Sequence, residues 1–145
     1  MSNRILSYKG LLANDGQDTI RLSTIKGEVG YRITKFQVIG ENPGNANYEA
    51  IVKIFKESIT GPTTSIDLSD NRLLAVASYQ EGAGLDQKVA IQYVIFDNEI
   101  INQDIFISSK DISGGNVNYY VELEMLKLNE TEATVATLKD IRNNS

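Results

Sequence analysis

The stretch VNYYVELEMLKL, residues 117–128, decides how this chain is read. Val117, Tyr119, Val121, Leu123 and Met125 share one parity; Asn118, Tyr120, Glu122, Glu124 and Leu126 share the other. Alternation over five or more residues, rich in β-branched and aromatic types, describes a strand with one face in a core and one in water.

The same period of two recurs in both directions from there. YRITKFQVI (31–39) alternates throughout, with Tyr31, Ile33, Lys35, Gln37 and Ile39 facing one way and Arg32, Thr34, Phe36 and Val38 the other. YEAIVKIFK (48–56), KVAIQYVIF (88–96) and, less strictly, TIRLSTI (19–25) read in the same way, and in 88–96 Val89, Ile91, Tyr93 and Ile95 share a face. DNRLLAVASY (70–79) fits a strand or a short helix capped by Asp70; the β pattern on both sides favours the strand. Turn chemistry separates the runs: Asn14-Asp15-Gly16, Lys26-Gly27-Glu28, Asn42-Pro43-Gly44-Asn45, Gly61-Pro62 and Ser113-Gly114-Gly115-Asn116. Both prolines lie in these breaks, where no ladder hydrogen bond is lost. About eight short strands at this spacing predict one mainly β domain over residues 1–145, an antiparallel β-sandwich of jelly-roll or Greek-key type.

Residues 129–142 break the period and read as a C-terminal helix. Asn129 can cap it, with Glu132 three residues on as in a capping box. Glu130 and Glu132 suit its positive end, Lys139 and Arg142 its negative end. Val135, Leu138 and Ile141 share an arc at helical spacing and are the candidate partner-contact residues. A helix this short is marginal alone, so that arc needs either the parent sandwich or a neighbouring subunit to pack on.

The stretch VIFDNEIINQDIFISSKD (94–111) raises a chemical question, because Asp97-Asn98-Glu99 and Asn102-Gln103-Asp104 sit between apolar runs. The strand reading ends one strand at Phe96, returns Ile100 and Ile101 to the core, and begins the next strand near Asp104. Asp and Asn at strand ends bond their own backbone. A hydrolytic pair would instead need two carboxyls roughly 5 to 9 Å apart across a sugar cleft. Asn14-Asp15-Gly16-Gln17-Asp18 and Asp67-Leu68-Ser69-Asp70-Asn71 approach calcium-loop spacing without completing it, and Gly82-Ala83-Gly84 lacks the G-K-[ST] of a phosphate loop. The seven tyrosines read mainly as core or cross-strand partners, with an aromatic sugar platform as the sharper alternative.

Composition bounds the chemistry further. The 145 residues contain neither cysteine nor histidine, which removes disulfides, thiolate catalysis, Ser-His triads and His-ligated zinc. The net charge is −5, with Lys and Arg scattered, against the basic patch that nucleic-acid binding needs. No apolar run is long enough to span a bilayer, and MSNRILSYKG lacks signal-peptide architecture. The expectation is a binding or structural protein with no cofactor, no metal, no membrane and no direct nucleic-acid contact.

The segment GLLANDGQDTIRLSTIKGEVGYRITKFQVIGENPG (10–44) resembles a stretch of small virion structural proteins of tailed bacteriophages, especially marine ones. VIFDNEIINQDIFIS (94–108) and NYYVELEMLKLNETEATVATLKDIR (118–142) are similar to the end of the same proteins. The resemblance is one of strand phrasing, covers most of the chain and carries no catalytic signature. It implies a small β-sandwich on the virion, made in the host cytoplasm: a capsid decoration or cement protein, or a tail-associated one. It further implies trimers or rings that contact the major capsid or tail protein by surface complementarity. The alternatives are a carbohydrate- or receptor-binding module of a tail fibre or spike, and a tail or neck adaptor. An enzyme is not expected.

Overall fold

The computed structural model describes residues 4–22, 29–43, 47–82, 89–96 and 99–127. The helix read over 129–142, and with it Val135, Leu138 and Ile141, lies outside the described residues. Eight strands are present: β1 (Arg4–Leu12), β2 (Gln17–Ile20), β3 (Val29–Gly40), β4 (Tyr48–Phe55), β5 (Leu73–Glu81), β6 (Val89–Ile95), β7 (Ile105–Asp111) and β8 (Val117–Lys127). They form two antiparallel sheets, ordered β1-β8-β3 and β2-β7-β4-β5-β6.

The two sheets share one core in a sandwich-like arrangement. The first contributes Leu12, Ile33, Phe36, Val38, Val117, Val121 and Leu123; the second contributes Ile20, Val52, Ile54, Ala75, Ala77, Ile105 and Ile107. Strand β8 behaves as its alternation requires, with Val117, Tyr119, Val121 and Leu123 all buried. It pairs with both β1 and β3, so its inward residues lie at the centre of their sheet. Strand β4 is buried on both faces, because the connection from Lys56 to Arg72 folds over its outer side. There Ile51, Phe55, Leu73 and Val76 form a second, smaller cluster, with Ile59 and Phe96 packed against it.

Four local features depart from the sequence reading. Strand β3 does not alternate throughout: the register shifts between Ile33 and Lys35, which pair with Leu123 and Glu122. This bulge adds one residue and reverses the parity, so Tyr31 and Ile33 point inward before it and Phe36 and Val38 after it. The run at 19–25 is a strand only to Ile20; Leu22 still reaches the core from the following coil. The segment 70–79 is strand from Leu73 onward, preceded by turns in which Asp70 N–H donates to Asp67 O and Leu73 N–H to Asp70 O. Strand β1 was not singled out by periodicity. Its inward side carries Leu6, Tyr8 and Leu12 with Gly10 among them, and the Tyr119 ring occupies the space where a Gly10 side chain would be, 2.9 Å from an added Cβ.

One end of the molecule is organised by a single carboxylate. Asp111, 1% exposed, accepts backbone hydrogen bonds from Glu49 (2.9 Å), Ser113 (3.0 Å) and Gly115 (2.8 Å). Its own N–H donates to Asn14 Oδ1 at 2.8 Å. The β1–β2 and β7–β8 connections and the start of β4 are thereby tied together. Beside it the Tyr48 ring lies against Gly40 and Gly115, where added Cβ atoms would sit 2.7 and 2.8 Å from ring carbons. The Tyr48 hydroxyl accepts from Asn42 N–H at 2.7 Å.

Two residues earlier on β7, and on the same face, Ser109 Oγ is buried with no hydrogen-bond partner among the described residues. The two positions predict opposite behaviour. Asp111→Ala removes the shared acceptor of three part-buried N–H groups and should cost about 2 kcal/mol, since water can reach some of the freed donors. Ser109→Ala removes an unsatisfied hydroxyl and should leave stability unchanged or raised by about 1 kcal/mol. Urea unfolding of both variants measures the contrast; equal losses would show that Asp111 does not have the tethering role its bonds imply.

Candidate functional site

An open, largely apolar site lies where the two sheets approach each other at one side. Strand β3 is an edge of its sheet and β6 an edge of the other. Between them runs a groove of about 500 Å³, lined by Gln37, Val38, Ile39 and Pro43 from β3 and its following turn, Tyr79 and Glu81 from β5, Ile91 and Tyr93 from β6, and Asn118, Tyr119 and Tyr120 from β8. Along β6, Ile91 is 41%, Tyr93 39% and Val94 40% exposed, and Ile39 across the groove is exposed too. Large apolar side chains gathered in this way mark interaction surfaces more often than isolated ones do.

Tyr93 holds the seam together. Its hydroxyl accepts a hydrogen bond from Val38 N–H at 3.2 Å and lies 3.5 Å from Val38 O, so it stands where a partner strand would. Its ring meets Phe36 edge-on, at 6.2 Å between centroids and 65° between planes. On the groove floor the Tyr79 hydroxyl donates to Glu81 Oε1 at 3.1 Å. Burial, then the Glu81 hydrogen bond, raises the Tyr79 pKa. Tyr119 donates to Asp18 Oδ2 at 3.0 Å, and burial together with that carboxylate pushes its pKa up to about 12. Tyr120 donates to Glu122 Oε1 at 2.8 Å, a bond that raises its pKa as well. Of the tyrosines singled out on strand faces, Tyr31, Tyr48 and Tyr119 are buried and Tyr93 alone is exposed. Tyr48 and Tyr79 pack edge-on at 73°. The rings therefore do not make the coplanar platform on which a sugar stacks.

A second cleft, of about 370 Å³, is polar and lies under the β4–β5 connection. Lys53 is buried in it and reaches Ser65 O and Thr63 Oγ1, which pins the connection over the sheet. Burial lowers the Lys53 pKa, partly opposed by Asp70. Arg72 grips Asp70 through Nε (3.0 Å) and Nη2 (2.9 Å), contacts Glu57 at 3.3 Å and lies over the Phe55 ring at 5.8 Å.

The acidic clusters are placed as follows. Asp97 and Asn98 lie outside the described residues. Glu99 pairs with Lys56 at 3.3 Å, Gln103 donates to Lys56 O, and Asp104 accepts from Leu22 N–H at 2.8 Å. Ile101 does return to the core, bridging backbone to backbone with Tyr31. In the two loops with partial calcium spacing, Asp15 binds Lys110, Asp18 binds Tyr119, Asp67 caps the Ser69 turn and Asp70 holds Arg72. Among the described residues no three acidic side chains converge as a metal would require. Ala83 and Gly84 are outside the described residues.

Tyr119 supplies a pH test. The unfolded phenol releases its proton near 10 and the folded one near 12, so between those values the unfolded state binds fewer protons. Stability should therefore fall as pH rises through that window, and raised values at Tyr8 and Tyr79 act in the same direction. Tyr119→Phe should lower stability at neutral pH by about 1 kcal/mol, through the lost bond to Asp18, yet flatten the alkaline decline. Melting curves from about pH 8 to about pH 11 measure both effects; an unchanged alkaline slope in the variant would assign the decline to other groups. Compared with known proteins, the chain matches no family model and no curated protein sequence.

Proposed function

We propose that this chain is a structural protein of a phage virion, decorating and reinforcing the capsid as a symmetric oligomer. The observation that carries the reading is the set of exposed apolar side chains around β6: Ile91 and Tyr93 with Ile39 across the groove, and Val94 on the opposite face of the strand. Burying such side chains against another subunit stabilises by roughly 25 cal/mol for each Å² of apolar area removed from water. Capsid attachment then gains from a lattice of repeated weak contacts. Of the acidic residues in 94–111 that are described, Glu99 pairs with Lys56 and Asp104 accepts from Leu22 N–H.

The jelly-roll form of the sandwich belongs to this proposal. A jelly roll pairs its first strand with its eighth, second with seventh, third with sixth and fourth with fifth. Three of these pairings, β1–β8, β2–β7 and β4–β5, are ladders here. The fourth position is the β3–β6 seam that Tyr93 bridges. Small jelly rolls are a common way of building virion and lectin domains.

A second reading has its own support. The groove presents Tyr93 and Tyr120 beside Asn118 and Gln37, a mixture of apolar and amide groups that suits a glycan or receptor on a tail fibre or spike. Light scattering on the full chain and on a chain ending at Leu128 separates the two. A discrete oligomer supports assembly. If removal of residues 129–145 reduces it to monomer with the thermal transition intact, then Val135, Leu138 and Ile141 contribute to the clasp. A monomer that binds members of a glycan array would replace the assembly reading.

A further inference from the structure

The two sheets have four edges, β1 and β3 in one and β2 and β6 in the other. An edge strand presents unpaired backbone donors and acceptors, and proteins usually guard it with charge, shortness, a bulge or a cover. Strand β1 carries Arg4 and Lys9. Strand β2 is four residues long and contains Asp18. Strand β3 carries Arg32, Lys35 and the bulge, is bridged by Ile101 at Tyr31, and meets the Tyr93 hydroxyl at Val38. Strand β6, VAIQYVI, is seven residues without charge, proline or glycine, and among the described residues no strand or bridge covers its outer edge.

Resting on the assembly reading above, we propose that β6 is a self-pairing edge, joining antiparallel to β6 of a second copy about a two-fold axis at Gln92. The partner follows from charge and from sequence symmetry. In a chain of net charge −5 a second copy is repelled at most surfaces, and an uncharged edge brings no like charges together. Antiparallel pairing of a strand with itself requires the axis to fall on a residue, since opposed residues must share both face and hydrogen-bonding parity. Gln92 is the middle of the seven, so an axis there gives the longest overlap. It sets Ile91 opposite the Tyr93 of the second copy, Ala90 opposite Val94 and Val89 opposite Ile95. Aromatic against β-branched is among the favourable cross-strand pairs. The two five-stranded sheets would merge into one of ten strands, and the exposed faces of Ile91, Tyr93 and Val94 would become shared.

The chain has no cysteine, so single cysteines report contacts cleanly. Two variants are compared under mild oxidation: Gln92→Cys on the proposed axis, and Ile5→Cys on the outer side of the other sheet, where Ile5 is exposed. The expected result is a covalent dimer from Gln92→Cys and none from Ile5→Cys. Val94→Lys places two ammonium groups in the contact and should raise the dimer dissociation constant by roughly tenfold or more while leaving the melting temperature of the subunit unchanged. Equal cross-linking of both cysteine variants would overturn the proposal as mere collision. An oligomer by light scattering that neither cross-links at Gln92 nor weakens with Val94→Lys would overturn β6 self-pairing and leave assembly through another surface standing. A monomer that shows no cross-link would overturn both.

Discussion

A backbone amide shut away from water at the edge of a sheet must find a partner, and that constraint shapes much of what is distinctive in this protein. Two sheets of three and five strands leave four edges to satisfy. The solutions differ from edge to edge. On β3 the backbone at Tyr31 bonds to Ile101, with N···O distances of 2.7 Å in both directions, and the backbone at Val38 bonds to the Tyr93 side chain. Beyond Gly40, Glu41 N–H donates to Asn116 O, so β3 is held near both ends. A buried N–H without a partner costs about as much as a lost hydrogen bond, so each of these contacts fixes chain position as well as adding stability.

The two ends of the sandwich use this currency differently. At the Asp111 end, one buried carboxylate takes two backbone donors from the β7–β8 connection and one from the start of β4, and Asn14 brings in the β1–β2 connection. Lys110 and Asp15 close the same region from outside with an ion pair at 2.9 Å. Connections tied to a common centre have little freedom to move independently, and the turns that carry them can be short and glycine-rich without loosening the strands. At the β3–β6 seam a phenol replaces a ladder, and the neighbouring apolar side chains remain in water.

Much of this fold was legible from periodicity, and the failures have physical causes. Strands β4, β7 and β8 alternate, or run apolar on both faces, because both sides of their sheet positions are defined by neighbours. Strand β3 was found, but its phase past Thr34 was inverted, since a bulge inserts a residue without leaving a glycine or proline to announce it. Thr34 Oγ1 donates to Glu122 O, a hydroxyl bond that a pattern of apolar residues does not record. Strand β1 was missed because Gly10 and Ser7 dilute its alternation, and Gly10 is required by a ring that arrives from β8, more than a hundred residues away. For the candidate site, the parity of 88–96 groups Ile91 and Tyr93 on one face of a half-buried strand, with Tyr93 read as a core or cross-strand partner. Alternation reports which side chains share a face; it says nothing about whether a further strand lies alongside. Edge position is a property of topology, which is why Ile91 and Tyr93 look like core residues in sequence and are exposed in the fold.

Topology also explains why the seam stays open. If β6 paired with β3 in register, their backbones would stand about 4.8 Å apart. The Tyr93 side chain points across that gap, with its ring edge-on to Phe36 and its hydroxyl at the Val38 backbone. An aromatic side chain spanning the space between two strands holds them beyond ladder distance, while its single polar atom satisfies part of the edge it displaces. Phe36 and Val38 beside it are buried. Strand β6 itself pairs with β5, and among the described residues no strand pairs with its other edge. The Tyr93 side chain thus satisfies part of the β3 edge, packs against Phe36 and lines the groove, so one residue serves both the seam and the exposed surface.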